Sequence, residues 1–281
     1  MNINNILASL LALLSLVFIT QHSYAAPKSD LWPYWQTYDA TSKRQVDHRQ
    51  WQIFLDTYLV VGQPADVHRV NYSAVTPADK KHLNHYIFGL TQNDPTTLNR
   101  DQQFAYWVNL YNAATVYLVL ENYPIRSIKT LGKGWFSFGP WDDEILKING
   151  KSLSLNDIEH RILRPIWQDP RIHFVVNCAS LGCPNLPAST IDPLTYQTQL
   201  ADAAKAYINH PRGIKIENNQ LRLSSLFKWY QDDFGANTQE VIQTLLVYAN
   251  IKNRKALEAV NLDGISYEYD WALNDLTKPK P

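Results

Sequence analysis

Both cysteines of the chain stand in one stretch, HFVVNCASLGCP, residues 173–184. A thiolate can act as nucleophile, metal ligand or half of a disulfide, and its neighbours decide which. Cys178 follows RIHFVVN, which reads as a buried strand, so its thiol would leave a rigid element at the start of a loop, where reactive groups are commonly held. Asn177 and the amides of Ala179 and Ser180 are then candidate donors to an oxyanion. In a regular strand His173 lies about 16 Å from Cys178 and faces the other way, a poor position for a base.

The stretch LSLNDIEHRILRP offers a better partner. A helical step of about 100° per residue puts Leu155, Ile158, Ile162 and Leu163 on one side, with Glu159 inside that apolar arc and His160 at its edge. A carboxylate aimed at the core must be paired, hydrogen-bonded or protonated. His160, carried on a separate element, is the candidate base for Cys178 and Glu159 the polarising carboxylate. Glu159 cannot readily orient its own neighbour's ring, so Asn109 or Asn112, three apart on another helix, would do so. Those amides equally suit a bracing role against a neighbouring loop.

Two other readings of the thiols stay open. A turn through Gly182 and Pro184 allows a Cys178–Cys183 disulfide closing a very small loop. His160, His173, Cys178 and Cys183 are of the right types for zinc, but their spacing fits no established finger or hydrolase signature, and no metal or other cofactor is expected.

The elements that must carry these residues are mostly helical. Trp51, Phe54, Leu55, Tyr58 and Leu59 follow helical spacing, and Thr76 before Pro77 is a cap with proline at the first helical position. The segment NRDQQFAYWVNLYNAATVYLVLENYP carries a capping-box pattern at Asn99 and Gln102 and ends before Pro124. Asn149-Gly150 marks a hairpin in ILKINGKSL. Ser154 with Asp157 caps the short helix bearing Glu159, which Pro165 should end. Residues 196–208, 225–234 and 239–249 read as helices, IKIENNQLRL as a hairpin and ISYEYDW as a closing strand. The loop from Trp135 to Trp141, rich in glycine and aromatics, reads as packing, with a lid as the alternative. No repeat, linker or phosphate-binding glycine loop divides the chain, so residues 26–281 read as one helix-rich α+β domain with a small, partly antiparallel sheet.

The 281 residues, 45% apolar with 26 basic and 26 acidic side chains, lack the concentrated basic face that nucleic acid or an anionic membrane requires. Residues 1–25 carry no Lys, Arg, Asp or Glu, and the apolar run from Ile6 to Thr20 followed by Ser23-Tyr24-Ala25 fits a signal peptide cut after Ala25. An uncleaved anchor is the alternative. Cleavage implies an exported, periplasmic or extracellular protein without a membrane anchor, in a compartment that permits disulfides.

Five blocks, YWVNLYNAATVYLVLENYP, LSLNDIEHRILRP, DPRIHFVVNCASLGCP, LFKWYQDDFG and YDWALN, occur in the order found in the domain of unknown function 547 family, which the chain resembles from about Asp101 to Asn274. The resemblance implies a shared fold and residue set rather than a reaction. It implies that plant-type members keep a cysteine at position 178 and carry serine at position 183, which favours Cys178 as the thiol that matters. Histidine before cysteine in the chain also suits a papain-like arrangement in permuted order, as a fold-level analogy. The resulting expectation is a thiol-dependent hydrolase or acyl transferase acting on an amide, ester or peptide-like bond of a small-molecule or peptide-like substrate, with Cys178 as nucleophile and His160 as base. The rival is a non-catalytic binding module of the envelope or extracellular space, with the two cysteines oxidised.

Overall fold

A computed structural model describes residues 27–62, 66–132, 139–217 and 220–277; the expected signal peptide lies outside these, as does most of the Trp135 to Trp141 loop. The first half is built on three helices. Helix α1 (Arg49–Tyr58) buries Trp51, Phe54, Leu55 and Tyr58, and α2 (Pro77–Thr91) starts where Thr76 Oγ1 accepts from the Asp79 amide. Helix α3 (Arg100–Asn122) starts at Asn99, whose side chain accepts from the Gln102 amide, and runs buried along most of its length. Leu59 leaves the helical pattern: it opens β1 (Leu59–Val60), antiparallel to β2 (Arg69–Val70). The next hairpin, β3 (Leu146–Ile148) and β4 (Lys151–Leu153), turns through Asn149 and Gly150, both at positive φ.

Two expected elements differ in form. The Ser154–Asp157 capping box is present, with reciprocal bonds of 2.9 and 3.0 Å, but the segment it opens, Asp157–Leu163, is a π-helix. It passes straight into α4 (Arg164–Trp167), so Pro165 lies within a continuous helical run instead of ending it, and its missing N–H leaves a carbonyl of the preceding turn without a helical partner. A π turn holds more residues than an α turn, so successive side chains diverge less, and Glu159 and His160 are both buried. Its unpaired carbonyls find partners elsewhere: the amides of Asp30 and Trp32 donate to His160 O and Arg161 O.

The second correction concerns RIHFVVN, which is not a strand. Pro170–Phe174 is a 3-10 helix capped by Asp169, whose side chain accepts from the Arg171 amide at 2.9 Å. Its continuous burial resembles that of a buried strand, because Ile172 and Val175 enter one core cluster and Phe174 the other. The Asp169-Pro170 pair, an N-cap followed by proline at N1, is the start signal that identifies it.

The second half comprises α5 (Tyr196–Ile208), the hairpin β5 (Ile214–Glu217) and β6 (Gln220–Ser224), and the short helices α6 (Leu226–Trp229) and α7 (Gln231–Phe234). Helices α8 (Thr238–Tyr248) and α9 (Ile251–Glu258) follow, the latter not anticipated from the sequence. The closing strand β7 (Ser266–Glu268) joins β6 in parallel. The architecture is thus a helix-rich α+β domain with small, mostly antiparallel sheets. No helix among the described residues is long and apolar enough to cross a membrane.

Candidate active site

Cys178, Cys183, Glu159, His160 and His173 line one cavity of about 440 Å³, a volume suited to a small molecule. Tyr111 of α3, Tyr230 between α6 and α7, and Tyr269 and Trp271 beyond β7 also line it. The loop that presents the cysteines is held from several sides. Leu181 and Gly182 amides donate to Ala272 O and Asp270 O, Tyr207 Oη donates to Gly182 O at 2.7 Å, and Arg212 Nη1 donates to Cys183 O at 2.6 Å. Gly182 is required here, since a Cβ would stand 2.7 Å from the Asp270 nitrogen.

Within this loop the half-buried Cys178 sulfur meets three groups: Cys183 Sγ at 2.9 Å, Tyr269 Oη at 3.1 Å and Ser180 Oγ at 3.2 Å. Burial pushes its pKa up, but the hydrogen bonds from Cys183, Ser180 and Tyr269 outweigh burial and hold the thiol below its usual value. Cys183 is more deeply buried, and burial together with the neighbouring sulfur raises its thiol far above the usual range. Of the pair, Cys178 is therefore the thiol that ionises more readily and Cys183 the one that holds its proton.

His160 does not serve as the partner expected of it. Its Nδ1 lies 3.0 Å from Arg164 Nη1, and its ring makes no hydrogen bond to Cys178. A guanidinium only donates, so Nδ1 must accept and the proton of the neutral ring sits on Nε2. Burial pulls the His160 pKa down to about 4 against the pull of Glu159, with Arg164 adding to the depression. The side chain is a neutral donor at physiological pH and lacks a free lone pair to take a thiol proton.

Glu159 is paired as its burial requires. Tyr111 Oη donates to its Oε2 at 2.9 Å, and His173 Nδ1 lies 3.4 Å from its Oε1. Burial would raise the carboxyl, but His160, His173 and Arg164 hold it at about 2. Above pH 4 His160 is neutral, so His173 and Arg164 carry that task.

The 3-10 turn brings His173 to the site that a strand would have denied it. Its Nε2 lies 2.6 Å from Asp233 Oδ2, and its ring stacks on Tyr230 with centroids 4.0 Å apart. Burial lowers its pKa, yet the bonds to Asp233 and Glu159 prevail and raise it, leaving an imidazolium between two carboxylates. Asp233 also accepts a bidentate pair from Arg164 at 2.6 and 3.0 Å, and Arg164 Nη1 donates to Pro27 O. Arg164, His173, Asp233, Tyr230 and Tyr269 are thus site residues that the sequence reading did not assign.

Asn109 and Asn112 stay away from the histidines. Asn109 pairs with both backbone groups of Ile191 at 2.9 Å, and Asn112 bridges Val175 O and the Asn177 amide at 2.8 Å. Both brace loops against α3. Two of the three expected oxyanion donors are similarly engaged, for Asn177 Nδ2 donates to Pro184 O and the Ala179 amide donates to Asn177 Oδ1.

Fold and site together define an α+β domain whose cavity joins a thiol of lowered pKa to a buried chain of ion pairs. Residues 95–208 match the family model described as "Protein of unknown function, DUF547", and the resemblance drawn from the sequence blocks holds over that segment. The match includes both cysteines, Glu159, His160 and His173, and stops short of Tyr230, Asp233 and Tyr269. No curated protein and no solved structure matches the chain.

Proposed function

We propose that this protein is a thiol-dependent hydrolase or acyl transferase in which the Cys178 thiolate attacks the carbonyl of a small ester, amide or peptide-like substrate. The observation that supports it is the Cys178 sulfur, open to a small-molecule cavity and surrounded by donors that favour its ionised form. In this reading no base is needed for the attack, and the role of His160 changes from base to donor: its Nε2–H is available to an oxyanion forming in the cavity. Collapse of the tetrahedral adduct breaks the bond to the leaving group, with the Tyr269 hydroxyl as the nearest oxygen-borne proton, and leaves a thioester for water or another acceptor. The charged chain of Glu159, His173, Asp233 and Arg164 fixes the wall against which this happens. The apolar leader of residues 1–25 supports action in the periplasm or outside the cell.

The test is acyl trapping. Reduced full-length protein treated with p-nitrophenyl acetate should release a burst of nitrophenolate and carry an acetyl group on Cys178, located by peptide mass spectrometry. A Cys178 that stays unmodified across the pH range while the protein is folded overturns the reading.

A further inference from the structure

The acyl-transfer reading uses one sulfur, and a second lies 2.9 Å behind it. Their environments differ in the way that sequential thiol chemistry needs. Both line the cavity, but Cys178 is half-buried whereas Cys183 is only 4% exposed, with the Cys178 amide donating to its sulfur at 3.0 Å. The anchored backbone of the intervening loop keeps the two sulfurs adjacent. Tyr269, which contacts the outer sulfur, belongs to a cluster with Trp229 and Trp271 on the wall of the same cavity, with centroids 4.7 to 5.5 Å apart, and polarisable sulfur compounds pack favourably on aromatic rings.

We propose that Cys178 and Cys183 are an exchange pair that reduces low-molecular-weight disulfides entering this cavity, with Cys178 attacking and Cys183 resolving. The Cys178 thiolate attacks one sulfur of the disulfide R–S–S–R; a Cys178–S–S–R bond forms, the substrate's S–S bond breaks, and one RS⁻ departs. Cys183 then gives up its proton to that thiolate or to solvent and attacks Cys178 Sγ, which expels the second RS⁻ and closes the Cys178–Cys183 disulfide. The substrate gains two electrons and the cysteine pair loses two. This activity goes beyond the acyl-transfer reading and needs only the two sulfurs.

The experiment uses reduced, desalted full-length protein and bis(2-hydroxyethyl) disulfide as probe, followed by non-reducing peptide mass spectrometry and assay of released mercaptoethanol. The wild-type chain should release both halves of the probe as free thiol, gain the intrachain bond and accumulate no adduct. Cys183→Ser and Cys183→Ala should each release one half and retain the other on Cys178; Cys178→Ser should lose the reaction. A wild-type chain that accumulates the Cys178 adduct without the intrachain bond, forms its first adduct on Cys183, or does not react overturns the proposal, and none of these readouts depends on the variants folding. Acetylation of Cys178 by p-nitrophenyl acetate alongside a failed exchange sinks this proposal alone; a completed exchange without acetylation sinks the acyl-transfer reading alone.

Discussion

Arg164 and His160, one π turn apart in origin and 3.0 Å apart in space, share a hydrogen bond that fixes the histidine as acceptor at Nδ1. His160 therefore contributes nothing to ionising Cys178, contrary to what thiol–imidazole spacing in the sequence suggests. His160→Ala should leave the pH midpoint of Cys178 alkylation by iodoacetamide where it stands in the wild type. A midpoint that moves up towards that of free cysteine would restore the histidine as base.

Tyr269 is a different matter, because its hydroxyl lies 3.1 Å from the Cys178 sulfur. A hydrogen bond to a charged group contributes about 1.5–3 kcal/mol, or roughly one to two pKa units. Tyr269→Phe should raise the alkylation midpoint by about that amount and slow the reaction at neutral pH about tenfold or more. Circular dichroism of the same sample checks that the fold is intact.

Asp233 holds two buried cations at once, Arg164 and the His173 imidazolium. Asp233→Ala removes Arg164's bidentate acceptor and leaves His173 with Glu159 alone, and breaking a buried pair in this way typically costs about 3–5 kcal/mol. Urea denaturation should show that loss as a lower midpoint with an unchanged slope. A variant within about 0.5 kcal/mol of wild type would mean that water screens the cluster.

The same cluster sets how stability varies with pH. Glu159 and Asp233 are more acidic folded than unfolded, so their contribution is present above about pH 4 and is lost as pH falls through their depressed values. His160, buried neutral, adds a loss as pH falls from about 6.5 to about 4, since the unfolded ring takes up its proton first. His173 acts in the opposite sense: its raised folded pKa gives a contribution fully present below about 6.5 and lost as pH rises through that raised value. Thermal melting across pH should peak near about 6.5, and His173→Gln should abolish the decline just above it, leaving the one that begins near about pH 9, where the unfolded thiol of Cys183 ionises.

Asn109 pairs with both backbone groups of Ile191 and is not among the residues that line the cavity. Asn109→Ala strands a buried N–H and a buried carbonyl, so it should cost about 1–3 kcal/mol in denaturation. The Cys178 alkylation midpoint should not move, and a shift would return this asparagine to the site.

Features governed by neighbours along the chain were legible before any coordinates. Thr76, Asn99 and the Ser154–Asp157 box cap helices where their types and spacing indicate, Asn149-Gly150 turns a hairpin, and the apolar arc around Glu159 marks a buried carboxylate that needs partners. Such signals depend on a few adjacent side chains and backbone groups, and no distant contact is required to read them. Where local signals conflicted, the stronger geometric one prevailed: Asp169-Pro170 starts a 3-10 turn despite the strand-like apolar run after it.

The sequence by itself determined the helix-rich α+β class, the location of both thiols and the presence of a carboxylate in the core. Tertiary structure alone decided which polar groups meet. Arg164 reaches Asp233 across 69 residues and Tyr269 reaches Cys178 across 91, and a π turn aims His160 at the guanidinium instead of the sulfur. The physical reason is that burial imposes on every charged or hydrogen-bonding atom the need for a partner without specifying which one, and the choice is made only when distant segments pack around it.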